Sequence, residues 1–263
     1  MSDTRSVTLI EQAWDEAASG YDAYFGPRFA PYLAAAVGAL LARSADLPPG
    51  NIVVPCAGPG RELGPLSGAF PERAILGSDL SNEMVALARA RNARFGNVSV
   101  ERADATALAP EAEVAGLLSV FGLQLLPDQP ATLASWVRLL ASGGIAVVVY
   151  WPRDAEPSGP FHALHRLLRK AGLRDGEWEA ELVPSALRAG GQLLCDARLG
   201  FAMQHSDPRT LWDAFTRLGP LRALALARGQ ALIDALGAEF VAELADGPVE
   251  HAPAARVLVI ARR

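Results

Sequence analysis

Two aspartates and a pair of glycines carry the chemistry this sequence advertises. Gly58 and Gly60 flank Pro59 between a short apolar run, residues 52–54, and a helical pattern, so they sit in a strand-to-helix turn of the kind that binds nucleotides. Asp79 closes a second apolar run 19 residues beyond Gly60, where a carboxylate can accept hydrogen bonds from both hydroxyls of a ribose. Asp104 follows a third run, residues 98–101. Acidic residues ending successive strands could take the sugar and the base of one ligand from neighbouring strand tips. Each also has a plainer reading, Asp79 as a carboxylate at a helix N-terminus and Asp104 as a loop former. Leu63 stands where the dinucleotide fingerprint needs its third glycine, and no Gly-Lys-Ser or Gly-Lys-Thr follows the turn. Nicotinamide, flavin and P-loop sites are therefore disfavoured.

These residues need a sheet to hold them. Strands at 52–54, 74–79, 98–101, 114–120 and 145–151 alternate with helical patterns, which argues for an open, doubly wound α/β architecture with a parallel sheet. The fifth run is apolar almost throughout and suits a strand covered on both faces. Two helices, 8–20 and 30–43, precede the sheet, and Ser81 and Asp128 are placed to cap the helices that follow strands two and four. After Trp151 come helices at 161–171 and 182–191, a strand at 195–205 weakened by Gly200, helices at 207–218, 221–236 and 239–245, and a β run at 255–261. The expected division is an N-terminal helical lid (1–50), a ligand-binding core (51–151), and the remaining strands with a helical cap (152–263).

Composition narrows the function. Hydrophobic residues make up 51% and the net charge is -5, with no long basic run, so a nucleic-acid partner is not expected. Cys56 and Cys195 are the only cysteines, too few for a disulfide framework or a structural zinc site, and both are read as free thiols in a reducing cytoplasm. No export signal and no membrane-spanning run are evident.

With these segments in view, the chain resembles the class I S-adenosylmethionine-dependent methyltransferases, of the small-molecule type 11/25-like group, over roughly residues 21–151 plus the final strand. Gly58 and Gly60 match the last two glycines of the family's first motif. Val54 stands where the family has an acidic residue and Cys56 where it has the first glycine. ILGSDLSNEMVALARAR resembles the second motif, RADA the third, SVFGLQLLPD the fourth, and LLASGGIAVVV the helix, glycine turn and fifth strand. The resemblance implies a seven-stranded, mostly parallel Rossmann-like sheet with N-terminal helices and a helical cap. It implies S-adenosylmethionine as cofactor, released as S-adenosylhomocysteine. Cys56, Ala57, Gly58 and Gly60 would lie along the cofactor, Asp79 on the ribose, Leu80 and Met84 beside the adenine, and Asp104 and Ala105 at its edge. Phe121 would lie near the methyl, and Tyr21 could close over the ligand.

A sulfonium methyl is already electrophilic, so the protein's task is to align an oxygen, nitrogen or carbon nucleophile with it. Gln124 and Trp151, at the ends of strands four and five, are candidates for the substrate wall. His162 and His165 are candidates for a general base; no carboxylate-histidine cluster supports a metal there. His205 and His251 read as structural or exposed. A cap rich in Leu, Ala and Phe suggests a small, largely apolar substrate, such as a biosynthetic intermediate. The alternative is the same fold binding the cofactor or another ligand without methyl transfer, as a pseudoenzyme or cyclase.

Overall fold

The computed structural model describes residues 2–172 and 177–263. They belong to two compact units. Ala30–Pro152, Glu177–Leu199 and Ala255–Arg263 make the sheet unit; Met1–Phe29, Arg153–Gly176 and Gly200–Ala254 make the helical unit.

In chain order the elements are α1 (Ser2–Leu41), β1 (Asn51–Pro55), α2 (Leu63–Ala69), β2 (Ile75–Asp79), α3 (Asn82–Asn92), β3 (Val98–Arg102), β4 (Val114–Val120), α4 (Gln129–Leu139) and β5 (Leu140–Tyr150). Then follow α5 (Pro160–Lys170), α6 (Trp178–Arg188), β6 (Gly191–Gly200), β7 (Met203–His205), α7 (Pro208–Thr216), α8 (Gly219–Arg228), α9 (Gln230–Glu243), β8 (Val249–His251) and β9 (Ala254–Arg262). Local chemistry fixes several starts. The Ser81 hydroxyl accepts from Met84 N–H to cap α3, and the Asp128 and Asp207 carboxylates accept from Ala131 N–H and Thr210 N–H to cap α4 and α7.

The doubly wound, mostly parallel sheet expected from the sequence is what forms. Its seven strands run in the order β3-β2-β1-β4-β5-β9-β6. The pairs β1/β2, β1/β4, β2/β3 and β4/β5 are parallel, and β9 returns antiparallel to β5, pairing Ile145 with Ala261 and Tyr150 with Arg256. β4 and the second half of β5 are buried almost throughout, because helices cover both faces. The connections from β1 leave toward β2 on one side and, later, β4 lies on the other. In open α/β sheets ligands bind outside such a reversal, here beyond the carboxyl ends of β1 and β4.

Three expectations need correction. The two N-terminal helices are one, α1, running through Gly20, Pro27 and Pro31. Both prolines are exposed, so water can satisfy the carbonyls they leave unbonded, while Phe25, Phe29, Tyr32, Ala36 and Leu40 continue a buried stripe. The strand expected at 195–205 is two: β6 ends at Gly200 in the large sheet, and β7 pairs antiparallel with β8 in a ribbon of the helical unit. The break in the last helices falls at Gly229, whose φ of 93° ends α8, and not near residue 237.

Candidate functional site

The turn after β1 is built by close backbone packing. Val54 and Pro55 are buried, and the chain leaves the strand at Cys56 with φ 53°. Ala57 N–H donates to the Ser78 carbonyl (2.8 Å), and Gly60 N–H donates to that of Ala57 (2.9 Å). A Cβ on Gly60, whose φ is 67°, would lie 2.8 Å from Ala88 Cβ and 2.9 Å from Asn92 Nδ2. Asn92 is buried and donates to the Gly60 carbonyl (2.9 Å), pinning the turn to α3. Gly58 differs: φ is 51°, but a Cβ there would meet nothing within 4 Å. Its backbone faces open space.

Asp79 ties this turn to the next. Oδ2 accepts from Gly58 N–H (2.8 Å) and Oδ1 from Ser81 N–H (3.0 Å). The residue is half-buried at the tip of β2, with Leu80 half-buried and Met84 buried beside it. Its carbonyl accepts from Ala103 N–H (3.0 Å), so the loop carrying Asp104 hangs from the same residue. Asp104 is exposed, and its Oδ1 accepts from both the N–H and the hydroxyl of Thr106 (2.8 Å each). The Ala105 carbonyl is fixed by the buried Trp136 indole N–H (2.8 Å). Burial, then the charges of Asp79 and Asp104, push the Cys56 thiol well above its ordinary range. The fields of both carboxylates therefore converge on the start of the glycine turn.

β4 ends in the other left-handed non-glycine residue among those described, Phe121 (φ 61°). Its ring stacks on Trp151 at the end of β5, with centroids 4.3 Å apart and planes 7° from parallel. Tyr32 of α1 meets both rings edge-on, at 5.5 and 5.0 Å. Gln124 Oε1 accepts from Trp151 N–H (2.6 Å), latching the two strand tips. Between them, a Cβ on Gly122 would lie 2.4 Å from Cys56 Cβ. The turns after β1 and β4 thus pack closely at Cys56 and Gly122.

Glu62 was not marked by the sequence reading. It directly precedes α2 and is 5% exposed. Burial, with the Asp79 charge adding and its own backbone N–H and the Arg91 and Arg61 charges opposing, pushes its carboxyl up to about 7. Because the folded value lies above the ordinary 4.5, the fold favours the neutral acid. That stability is complete below pH 4.5 and is lost as pH rises through 7. Glu62→Gln, an isostere of the neutral acid, should match the native protein at pH 4 and exceed it by about 3 kcal/mol at pH 8. Denaturant titrations at the two pH values read the difference.

The remaining expected residues belong to the helical unit. Tyr21 is half-buried among aromatic rings, 5.6 Å from Trp14 edge-on, 6.1 Å from Phe25 and 6.3 Å from Phe29. His162 is exposed on α5, whereas His165 is buried with Nδ1 bonded to the Arg153 carbonyl (2.9 Å). The structure thus gathers Cys56, Ala57, Gly58, Gly60, Asp79, Leu80, Met84, Asp104, Ala105, Phe121, Gln124 and Trp151 in the sheet unit. Tyr21, His162 and His165 lie in the other. Among the described residues no cluster of three or more His, Cys, Asp or Glu side chains could hold a metal, and no helix is long and apolar enough to cross a membrane.

Residues 52–144, from β1 to the first half of β5, match the family described as "Methyltransferase domain". Over that segment the core is similar to methyltransferase domains. Curated relatives agree: the trans-aconitate 2-methyltransferase of Methylobacterium nodulans is 37% identical over 131 residues, 50% of this chain and 47% of that protein. The one from Deinococcus radiodurans is 35% identical over 126 residues, 48% and 43% of the two chains. The chain thus spans about half the length of the curated relatives it matches. The likeness in fold extends further than that identity. The YcgJ protein of Bacillus subtilis superposes with TM-score 0.54 at 16% identity, over 87% of this chain and 98% of that one. Magnesium protoporphyrin IX methyltransferase of Synechocystis PCC 6803 does so with TM-score 0.54 at 16% identity, over 89% and 83%. The matched segment contains the glycine turn, Asp79, Asp104 and Phe121, but neither Trp151 nor any residue of the helical unit.

Proposed function

We propose that this protein binds S-adenosylmethionine at the carboxyl edge of the sheet and directs its methyl group to a small molecule. The observation that carries the reading is the double hold on Asp79, which presents a carboxylate beside the bare backbone of Gly58. In this reading Asp79 accepts from the ribose hydroxyls, Leu80 and Met84 flank the purine, and the loop at Asp104 and Ala105 meets its polar edge. Cys56, Ala57, Gly58, Gly60 and Phe121 line the rest of the cofactor. The cofactor supplies an electrophilic methyl, so the chain's own contribution is to orient the acceptor, exclude water and take up the proton the acceptor releases. Gln124 and Trp151 form the acceptor wall. The stacked Phe121 and Trp151 rings support a largely apolar acceptor. Methyltransferases acting on a carboxylic acid, as the names of the curated relatives state for those proteins, make small acids the competing class.

Calorimetric titration with S-adenosylmethionine, followed by a screen of apolar and carboxylate acceptors with a methyl-labelled donor, tests this reading. Absence of binding overturns it. Binding without transfer to any acceptor favours the second reading, ligand binding or another reaction such as a cyclisation. Val54 motivates that alternative, since a fully buried valine cannot serve as a polar cofactor ligand. If His162 and His165 accept the proton, a His162→Ala, His165→Ala double variant loses turnover; full turnover excludes both.

A further inference from the structure

The helical unit contains a groove of its own. Its volume is about 820 Å³, and the residues that line it run from Arg209 to Asp246, all within the Gly200–Ala254 part of that unit. Arg209, Trp212, Asp213 and Thr216 stand at positions i, i+3, i+4 and i+7, so they share one face of α7. Gln230, Asp234, Gly237, Ala238 and Val241 recur in the same way on α9. The two faces meet where a large ring needs bare backbone. A Cβ on Gly237 would lie 2.3 Å from Trp212 Nε1 and 2.8 Å from its Cδ1 and Cε2. The same indole packs on Phe240, with centroids 5.2 Å apart.

The polar groups of this groove are of two kinds. Trp212 is 6% exposed and its indole N–H can only donate, yet among the described residues nothing accepts from it. A donor set so deep is costly to leave bare. The pyrrole half of the ring, which bears that N–H, is the half against Gly237, and both residues line the groove. Facing the donor are three exposed carboxylates, Asp213, Asp234 and Asp246, against one basic lining residue, Arg209. Asp234 accepts from the Gln230 amide (2.9 Å); the carboxylates of Asp213 and Asp246 accept from no described residue. Among the described residues no three such groups are gathered closely enough to hold a metal ion, so the carboxylates suit an extended organic cation. Val241 and Leu244, both half-buried, give the groove an apolar side.

We propose that this groove binds a small organic ammonium ion that carries an oxygen acceptor on a short apolar body. The ammonium sits among Asp213, Asp234 and Asp246, the oxygen accepts from Trp212 Nε1–H, and the hydrocarbon lies against Val241 and Leu244. Each part of the ligand answers a separate observation. The acidic lining selects positive charge; the unmatched indole donor selects an acceptor; the volume falls within the range of roughly 300–1,000 Å³ typical of small-molecule sites. A plain polyamine would satisfy the carboxylates and leave the indole N–H bare. The groove shares no residue with those assigned to the cofactor or the methyl acceptor, so it stands whether or not the chain transfers methyl groups.

L-leucinol is the probe, a protonated amine at neutral pH with a hydroxyl and a branched apolar body. 3-Methylbutylamine lacks its hydroxymethyl group, and 4-methylpentan-1-ol lacks its amine. Calorimetric titration of the full chain should show saturable binding of L-leucinol and about tenfold weaker binding of either analogue. In proton–nitrogen NMR the Trp212 indole signal, identified as the one missing from Trp212→Phe, should move downfield with L-leucinol and not with 3-methylbutylamine. Trp212→Phe should weaken L-leucinol by about tenfold and leave 3-methylbutylamine within about twofold. Asp213→Asn with Asp234→Asn, both at exposed positions, should weaken the two amines by about tenfold or more. Should Trp212→Phe fail to fold, the analogues and the aspartate pair decide. No saturable binding of L-leucinol, equal binding of the alcohol or of the plain amine, a stationary Trp212 signal, or amine binding indifferent to the aspartate pair overturns the proposal.

Discussion

Asp79→Ala should weaken S-adenosylmethionine binding by at least about 100-fold while the sheet stays folded. Two hydrogen bonds from ribose hydroxyls to a charged acceptor are worth about 3 kcal/mol or more together, and about 1.4 kcal/mol is a tenfold change in affinity. The variant also releases Gly58 N–H and Ser81 N–H, so the glycine turn keeps only its backbone tie to β2, from Ala57 N–H to the Ser78 carbonyl. Because Asp79 is half-buried at a strand tip, water can replace both bonds, and the cost to stability should stay near 1–2 kcal/mol. Calorimetry with the cofactor and a denaturant titration separate the two effects. Native-like affinity in the variant would remove the basis for the proposed cofactor site.

The second large effect concerns the contact between the turns after β1 and β4. Gly122→Ala places a methyl carbon 2.4 Å from Cys56 Cβ and 3.0 Å from its Sγ. Both residues are held by backbone at the ends of adjacent strands, so neither can swing away as a flexible side chain would. Overpacking of this kind costs about 1–3 kcal/mol and occasionally more; here it should also force the glycine turn and the Phe121 loop apart, abolishing cofactor binding. The remedy is specific. Cys56→Gly removes the opposing Cβ and also relieves a non-glycine residue at φ 53°, a conformation that costs an L-residue about 1–2 kcal/mol. The double variant Cys56→Gly, Gly122→Ala should therefore recover stability and binding that Gly122→Ala alone loses. Without recovery, the clash is not between these two residues.

Much of the architecture was legible because period and punctuation agree. The strand tips at Asp79 and Val120, the cap at Ser81 and the apolar fifth strand each have a local cause that the sequence states directly. The turn at Gly58 and Gly60 was visible for the same reason. What escaped depends on contacts between residues far apart in the chain. Continuous α1 could not be read because Gly20, Pro27 and Pro31 argue locally for a break, and only the buried stripe overrides them. Gly122 looked like an ordinary loop glycine; its necessity lies in Cys56, 66 positions earlier. Glu62 carries no sign in the sequence of the burial that perturbs it. The hydrogen bonds linking Tyr24, His205, His251 and Glu156 join α1, the loop before α5 and both ribbon strands, and three-residue strands such as β8 give almost no periodic signal.

The place of β9 in the large sheet has a consequence for synthesis. β9 lies between β5 and β6, yet the whole of Gly200–Ala254 is made before it. A nascent chain therefore carries the valine-rich margin of β5 without its neighbour on that side, and β6 without any neighbour in the sheet, until β9 has left the ribosome. Such bare strand margins invite pairing with other chains. The maturation of the sheet is therefore timed by β9.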